Sequence, residues 1–198
     1  LLADVFARLG DLGEARRLTL RCATTSGETL VVISGPVPES ATSWGCPVSH
    51  RGRGELRSIV GGGTIVESVS GMGFRITGDA FFQNNTPGAE VLVALVREAL
   101  SPRRDDTLLD AYAGGGMFGI TVGRDAGGVI AVEADPLAVQ DLLHNVAAAG
   151  IDHLIMEGTV EEAIPEIDDP WEIAVVDPPR DGLGIKGVAA VTTGRPRA

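Results

Sequence analysis

The sequence predicts an α/β protein with a mostly parallel, doubly wound sheet, preceded by a smaller β-rich α+β unit. From residue 87 onward, short apolar runs alternate with segments of helical spacing, which is typical of parallel βαβ units. Before residue 80, short alternating segments are separated by turns rich in glycine, such as Gly61-Gly62-Gly63. We therefore divide the chain into two domains, residues 1–80 and 81–198.

For residues 1–80, the sequence predicts a helix followed by three short strands. Ala3 to Leu9 has the character of the end of a helix. Polar and apolar residues alternate from Arg17 to Ala23 and from Ile65 to Val69, which predicts strands with one buried face. The apolar run from Leu30 to Ile33 predicts another strand.

The second part predicts four strands separated by helices. Thr86 and Pro87 favour the start of a helix, with Thr86 as its N-cap, and Asp135 and Gly150 favour the two ends of a later one. The predicted helices are 87–100, 117–124 and 136–149, and the predicted strands are 107–111, 129–132, 154–156 and 173–176.

The composition limits the function classes. The 198 residues carry a net charge of −11, and residues 81–198 hold all of it, because residues 1–80 contain eight Arg and eight acidic residues. An acidic surface repels nucleic acid, so charge alone argues against an RNA partner. No apolar run approaches the ~18 residues of a membrane span. Cys22 and Cys46 form no C-x-x-C pair, which predicts a reduced, cytoplasmic protein without bound metal. We also expect a monomer.

A glycine motif follows the first strand of the second part. Gly114 to Gly119 fits G-x-G-x-x-G between a strand and a helix, where glycines allow close approach of the backbone to a ligand. Glu133 ends the next strand, 19 residues after Gly114, where its carboxylate can accept hydrogen bonds from both ribose hydroxyls. The pair predicts binding of a nucleoside cofactor, and NAD and S-adenosylmethionine both remain open.

The fourth strand favours one of these cofactors. Ile173 to Val176 runs into Asp177-Pro178-Pro179-Arg180, and two prolines cannot continue a strand, so the chain turns out at the sheet edge and holds Asp177 over the pocket. A dehydrogenase does not need this element. Methyltransferases acting on planar nitrogenous groups use a carboxylate followed by two prolines to hold the ring, which favours S-adenosylmethionine.

Three motifs together resemble a known family. Residues 110–119, residues 177–183 and the Phe-Phe-Gln-Asn-Asn element at 81–85 are similar, in order and spacing, to the uracil-5-methyltransferases of tRNA and ribosomal RNA. The convincing resemblance covers about residues 74–183, and residues 1–73 resemble the family's central domain only loosely. It implies a class I S-adenosylmethionine-dependent methyltransferase fold.

The resemblance assigns a role to each site residue. Gln83 would contact the cofactor or the target base, and Asp177 would face the reacting centre; we take these two as the catalytic residues of this chain. Ala113 and Met117 depart from the family pattern, where Cys and Asn are found. The implied cofactor-binding residues, with the close backbone approach at the glycines, the ribose at Glu133 and the adenine near Thr159, are Gln83, Tyr112, Gly114, Gly116, Glu133, Thr159 and Asp177.

The mechanism implied by the resemblance is covalent. A Cys thiolate adds to carbon 6 of a uracil that has left its stack, which makes carbon 5 nucleophilic enough to take the methyl group from the sulfonium of S-adenosylmethionine. A carboxylate base then removes the carbon 5 proton, and the Cys is eliminated from carbon 6. The family's nucleophile and base follow the Asp-Pro-Pro-Arg element, and neither motif occurs before Ala198. We therefore expect a fragment that lacks both groups, from a protein acting on structured RNA, with ribosomal RNA favoured over tRNA.

Three other interpretations remain. The chain could belong to a methyltransferase that modifies another RNA or DNA base, to an NAD-dependent oxidoreductase, or to a non-catalytic RNA-binding module. Because the negative charge lies in the cofactor-binding half, RNA contacts are expected in the neutral first part, in Arg-bearing loops such as Arg51 to Arg57, and in domains outside this sequence.

Overall fold

The computed structural model describes residues 1–194 and 196–198 and divides the chain into two compact units. The first unit comprises Leu1–Ser68 and Arg75–Ala80, and the second comprises Val69–Phe74 and Phe81–Ala198. In the described part of the chain, no helix is long and apolar enough to cross a membrane.

The first unit contains a four-stranded sheet of order β1-β2-β3-β4. The β1–β2 and β3–β4 pairs are antiparallel and the β2–β3 pair is parallel. Trp44 and Val48 belong to the core between one face of this sheet and helix α1. The helix and strands of the first part of the chain are α1 (Leu2–Arg8), β1 (Arg17–Cys22), β2 (Thr29–Ser34), β3 (Val48–Arg51), β4 (Leu56–Val60), β5 (Thr64–Val69) and β6 (Met72–Thr77), the last two forming a separate two-stranded sheet.

Strands β3 and β4 correct the expectation of an Arg-bearing loop from Arg51 to Arg57. Arg51 is the last residue of β3, and Arg57 lies within β4, so only residues 52–55 form the turn. The sequence pattern did not reveal these strands, because both are short and polar residues interrupt their apolar ones. The side chain of Ser49 in β3 is nevertheless fully buried. The guanidinium of Arg51 donates to the carboxylate of Asp79, with its Nε 2.9 Å from Oδ1.

The second unit contains a parallel four-stranded sheet of order β10-β7-β8-β9. This is the α/β class predicted from the alternation of apolar runs and helical segments, and that prediction is confirmed. The helices and strands of the second unit are α2 (Thr86–Leu100), β7 (Thr107–Ala111), α3 (Met117–Thr121), β8 (Gly128–Glu133), α4 (Pro136–Ala149), β9 (Leu154–Glu157), α5 (Val160–Ala163), β10 (Ile173–Val176) and α6 (Gly184–Thr192).

Helices cover both faces of the parallel sheet. Leu109 and Ile130 point to one face, where they pack in a core with residues of α5 and α6. Asp110 points to the other face, because successive strand side chains alternate, and there it contacts α3. The outer side of β10 is also paired, since the Ala174 amide donates to the carbonyl of Ala198 at 2.9 Å.

The helix ends explain where each helix begins and stops. Asp135 and Gly150 cap α4 as predicted: the Asp135 side chain accepts from two amides of the first turn, and Gly150 has a positive φ of 66°. The N-cap predicted for α2 is wrong by one residue, because Asn85 accepts from the amide of Gly88 and Thr86 is already helical. Helix α3 is shorter than predicted and passes into a 3₁₀ turn at Gly123–Asp125.

Candidate cofactor and active site

A groove lies at the carboxyl ends of β7 and β10, where ligands bind in open α/β sheets. It brings together residues of three sequence motifs that are far apart along the chain. Gln83, Tyr112, Gly114 and Asp177 are sequence-predicted site residues that the structure places together in it. The groove is lined by Phe81, Phe82, Gln83, Tyr112, Ala113, Gly114, Gly115, Met117, Phe118 and Asp177.

The glycine loop, residues 112–116, has an unusual backbone. Tyr112, Gly114 and Gly116 all have positive φ, of 66°, 55° and 89°, and for Tyr112 this is a strained conformation. A side chain at Gly114 would meet no atom within 4 Å, so the space beside this backbone is open to a ligand. A side chain at Gly116 would lie 2.6 Å from the Cδ1 atom of the buried Leu142, so both its positive φ and the packing against α4 disfavour a larger residue.

Glu133 is a structural partner of the glycine loop. Its Oε2 accepts a hydrogen bond from the Gly114 amide at 2.7 Å, and its Oε1 accepts from the amides of Ala134 and Asp135 at 2.8 and 2.7 Å. A carboxylate has about four acceptor positions, so Oε2 keeps one for a further donor. Glu133 does not itself line the groove, but it is hydrogen-bonded to Gly114, which does.

Asp110 is a buried carboxyl beside the glycine motif, and the sequence pattern assigned it no separate role. It is 1% exposed, its Oδ2 accepts from the Gly119 amide at 2.7 Å, and its Oδ1 is buried without a partner. Burial raises the pKa of this carboxyl to about 7; the Gly119 amide opposes the shift, and the charges of Asp177 and Glu133 add to it. The signal in the sequence was a carboxylate inside an otherwise apolar strand.

The Phe-Phe-Gln element presents two rings in different environments. Phe82 is buried and packs against Phe74, with ring centroids 5.6 Å apart. Phe81 is 71% exposed and lines the groove beside Gln83. An exposed aromatic ring at a groove is a platform on which a planar group can stack, a role that the sequence pattern alone did not indicate for Phe81.

Asp177 is held by the backbone at the end of β10. Its amide donates to the carbonyl of Ala111 at 3.3 Å, which continues the β10–β7 pairing by one residue before Pro178 and Pro179 end it. The side chain of Asp177 is exposed and borders the groove. A carboxylate in this position can accept hydrogen bonds from a ligand bound there.

Thr159 lies apart from the groove-lining residues. It is the exposed N-cap of α5, and its hydroxyl donates to the carboxylate of Glu162 at 2.8 Å. Glu161 of the same helix contributes to a raised pKa of Tyr112, after burial of the phenol itself. The role of Thr159 beside an adenine stays a prediction.

The groove-lining residues include no cysteine and no histidine, and Cys22 and Cys46 belong to the first unit. Cys46 is buried and Cys22 in β1 is half-buried; burial raises the pKa of both thiols. Both ring nitrogens of His153 are buried, and burial lowers the pKa of this side chain. Among the described residues, no group of three or more His, Cys, Asp or Glu could hold a metal ion.

Comparison with known protein sequences gives consistent results. Residues 94–189 match the family described as Conserved hypothetical protein 95. An uncharacterized RNA methyltransferase of Nostoc is 31% identical over 193 residues, covering 86% of this chain and 42% of the relative. Human tRNA (uracil-5-)-methyltransferase homolog A is 33% identical over 141 residues, covering 69% of this chain and 23% of the relative. The chain thus spans less than half the length of these relatives.

Comparison with solved structures shows the same fold. Pyrococcus abyssi tRNA (uracil-54, C5)-methyltransferase in complex with S-adenosyl-L-homocysteine has a TM-score of 0.72 and 23% identity, over 90% of this chain and 47% of that one. A tRNA m1G37 methyltransferase of M. jannaschii has a TM-score of 0.54 and 19% identity, over 82% of this chain and 51% of that one. From its sequence similarity and this shared class I methyltransferase fold, the chain belongs to the RNA methyltransferase family that includes tRNA (uracil-5-)-methyltransferase homolog A.

Proposed function

We propose that this chain binds S-adenosylmethionine in the groove of its second unit. In the whole protein, the methyl group goes to carbon 5 of a uridine in structured RNA. The observation that supports this proposal best is the arrangement at Gly114, where open space at a positive-φ glycine adjoins a carboxylate that keeps a free acceptor position. The names of the sequence relatives support the same reaction class.

The residues present fit this cofactor. The remaining acceptor position of Glu133 suits a ribose hydroxyl, the open side of Gly114 suits close backbone approach, and Tyr112 forms a wall for the methionine portion. Thr159 is assigned to the adenine end. When bound, S-adenosylmethionine supplies an electrophilic methyl group on a sulfonium. The protein fixes the position of that methyl group and keeps competing nucleophiles, such as water, away from it.

The other end of the groove suits a planar base. The Gln83 amide both donates and accepts, so it can pair with the carbonyl and N–H edge of uracil, and the Asp177 carboxylate can accept from the same ring. The exposed ring of Phe81 offers a stacking surface that compensates for the stacking a flipped base loses. These three residues hold and orient the base, and none of them is the nucleophile.

The 198-residue chain binds cofactor in this proposal but does not methylate by itself. A carbon 6 nucleophile must be a thiolate that reaches the base, and the groove-lining residues include no cysteine. Cys22 and Cys46 belong to the first unit and have raised pKa values, which disfavours the thiolate form.

We assign residues 1–80 and 81–198 to separate domains, with RNA contacts in the first. Arg53 and Arg57 are exposed and available for phosphate contacts, whereas Arg51 is held by Asp79. The sequence favours ribosomal RNA, and the names of two relatives favour tRNA, so both RNAs belong in the assay.

Calorimetric titration of the chain tests the cofactor proposal. S-adenosylmethionine and S-adenosylhomocysteine should bind, NAD should not, and Glu133→Ala should weaken binding at least about tenfold, as loss of a charge-assisted hydrogen bond predicts. Glu157→Ala is the matched control, because Glu157 occupies the register position of Glu133 on β9 and is exposed. A folded chain that binds neither sulfur compound, or that binds NAD instead, contradicts the proposal.

A turnover assay tests the proposal that this chain does not methylate RNA by itself. Unmodified tRNA and ribosomal RNA are incubated with this chain and radiolabelled S-adenosylmethionine, and nucleosides are then separated by mass. We expect no methylated uridine, and label at carbon 5 would show that the chain is catalytically complete. Label on another base would favour the rival class that the m1G37 enzyme exemplifies, since that enzyme shares the fold.

RNA binding separates a methyltransferase site from a non-catalytic module. The proposal predicts that Phe81→Ala and Asp177→Asn weaken binding of a uridine-containing RNA while leaving the melting temperature unchanged, because both side chains are exposed. A binding module would retain full RNA affinity in the Asp177 and Glu133 variants.

A further inference from the structure

The glycine loop is anchored from a second direction by a residue of α4. Asn145, in the last turns of that helix, is 1% exposed, and its side-chain amide donates to the carbonyl of Gly115 at 2.9 Å. Asparagine is a weak helix former, and a buried polar side chain costs free energy unless it is bonded. A buried Asn at this position is therefore explained by its bond to the loop.

The hydrogen bond from Asn145 is made to a peptide group whose other end is also hydrogen-bonded. The Gly115 carbonyl and the Gly116 amide belong to one planar unit, and the Gly116 amide donates to the carbonyl of Ala113 at 2.9 Å. Asn145 thus holds the carbonyl end of this peptide group, and Ala113 holds its amide end. Leu142, three residues before Asn145 on the same face of α4, occupies the space beside Gly116 with its Cδ1 atom.

We propose that Asn145 is a positioning residue for the cofactor site. By holding the Gly115 carbonyl, it fixes the glycine loop in the conformation that turns the open side of Gly114 to the groove. The inference rests on the proposed function, since the site it serves is the proposed cofactor site. Three glycines in one loop have many accessible conformations, and without this bond part of the binding free energy would be spent on ordering them.

Two variants remove the donor in different ways. Asn145→Asp keeps the size of the side chain but sets a carboxylate oxygen against the Gly115 carbonyl, and Asn145→Ala removes the donor without adding a charge. Loss of a buried hydrogen bond costs about 1–3 kcal/mol, so S-adenosylmethionine should bind about tenfold more weakly or worse. Val139→Ala, at a buried apolar position of α4 outside the groove lining, is the control for a general loss of stability and should leave affinity within about twofold.

Amide hydrogen exchange, followed by two-dimensional NMR on the ligand-free chain, provides a readout that does not need the cofactor. Exchange at Gly114 and Gly116 should accelerate about tenfold in Asn145→Ala, and amides in the middle of α4 should change no more than in Val139→Ala. If the Asp variant does not fold, the Ala variant carries both measurements, and if neither folds, Asn145 is required for folding and the positioning role is overturned.

The outcomes distinguish this inference from the proposed function. If the wild-type chain fails to bind S-adenosylmethionine, the proposed function is wrong, and the positioning role falls with it even when loop exchange accelerates. If the wild-type chain binds, but a folded Asn145 variant binds equally well or loses affinity only as much as Val139→Ala, the proposed function stands and the positioning role is wrong.

Discussion

The carboxylate of Glu133 accepts a hydrogen bond from the backbone amide of Gly114 at 2.7 Å. The bond joins the end of β8 to the loop that follows β7, so the two neighbouring strands of the sheet hold the glycine loop between them. The other carboxylate oxygen accepts two further amides of its own turn. Glu133 therefore shapes the loop before any ligand arrives, in addition to its proposed role at the ribose.

Glu133→Gln should reduce stability and cofactor binding as much as Glu133→Ala, although Gln keeps the size of the side chain. Because both oxygens of Glu133 accept from N–H groups, the amide nitrogen of Gln would face a donor in either orientation. We expect a loss of stability of about 1–3 kcal/mol and at least tenfold weaker binding of S-adenosylmethionine. Thermal unfolding and calorimetry measure the two effects. Glu157→Gln should change neither, and a Gln variant equal to wild type would contradict the role of the carboxylate.

Alanine at Gly114 and at Gly116 should have different consequences. Gly114→Ala meets no neighbour, so only the positive φ is penalised, by about 1 kcal/mol, while the methyl group fills the space assigned to the cofactor. Gly116→Ala adds a 2.6 Å approach to Leu142 and should destabilise the fold by a further 1–3 kcal/mol, on the order expected for overpacking. Chemical denaturation and cofactor titration of both variants distinguish them; equal stability losses would argue against the packing role of Gly116.

Stability should depend on the protonation of Asp110. Its folded pKa of about 7 lies above the value of about 3.9 expected for an unfolded Asp, so the folded state binds the extra proton. Below pH 4 the carboxyl is protonated in both states, and between pH 4 and 7 stability falls as pH rises, by about 1.4 kcal/mol for each unit of pKa difference. Asp110→Asn should therefore melt at a higher temperature than wild type at pH 8 and at the same temperature near pH 4.

The exposed residue Asp105 offers a control for the Asp110 measurement. Asp105→Asn makes the same change of charge without burial, so its melting temperature should follow that of the wild type across the whole pH range. If Asp110→Asn also follows the wild type, the buried carboxyl is ionised without penalty and the raised pKa is wrong.

Glu67 should have the opposite pH dependence in the first unit. Its side chain is 3% exposed, and although burial acts to raise its pKa, donors on Thr25, Thr24 and Ser68 lower it to about 2. An unfolded Glu has a pKa of about 4.3, so the ionised carboxylate contributes about 3 kcal/mol above pH 4.3, and this is lost as pH falls towards 2. Glu67→Gln should unfold more easily at pH 7, and its difference from wild type should shrink below pH 4. Glu55→Gln, at an exposed position, should match wild type throughout, and a pH-independent difference for Glu67→Gln would contradict the assignment.

The amino-acid pattern alone was sufficient for the parallel sheet and for the caps of α4. Strands β7, β8 and β10 are short apolar runs bounded by turns, and Asp135 and Gly150 act through their nearest neighbours. Such features are local, so periodicity and capping chemistry reveal them. Strands β3 and β4 were missed, because both are short and mix polar with apolar residues, and β3 joins the sheet by pairing with β2 across a longer connection.

Local motifs also located most of the groove, since glycines, Asp-Pro-Pro and Phe-Phe-Gln each follow or precede a predictable element. Only the tertiary structure decided what the residues do to one another. Glu133 is bonded to the glycine loop, Gly116 packs against Leu142, and Asn145 reaches the loop from thirty residues away. Hydrogen bonding, burial and the pKa shift of Asp110 depend on which groups come within a few ångströms of each other, and sequence spacing does not specify that for residues on different elements.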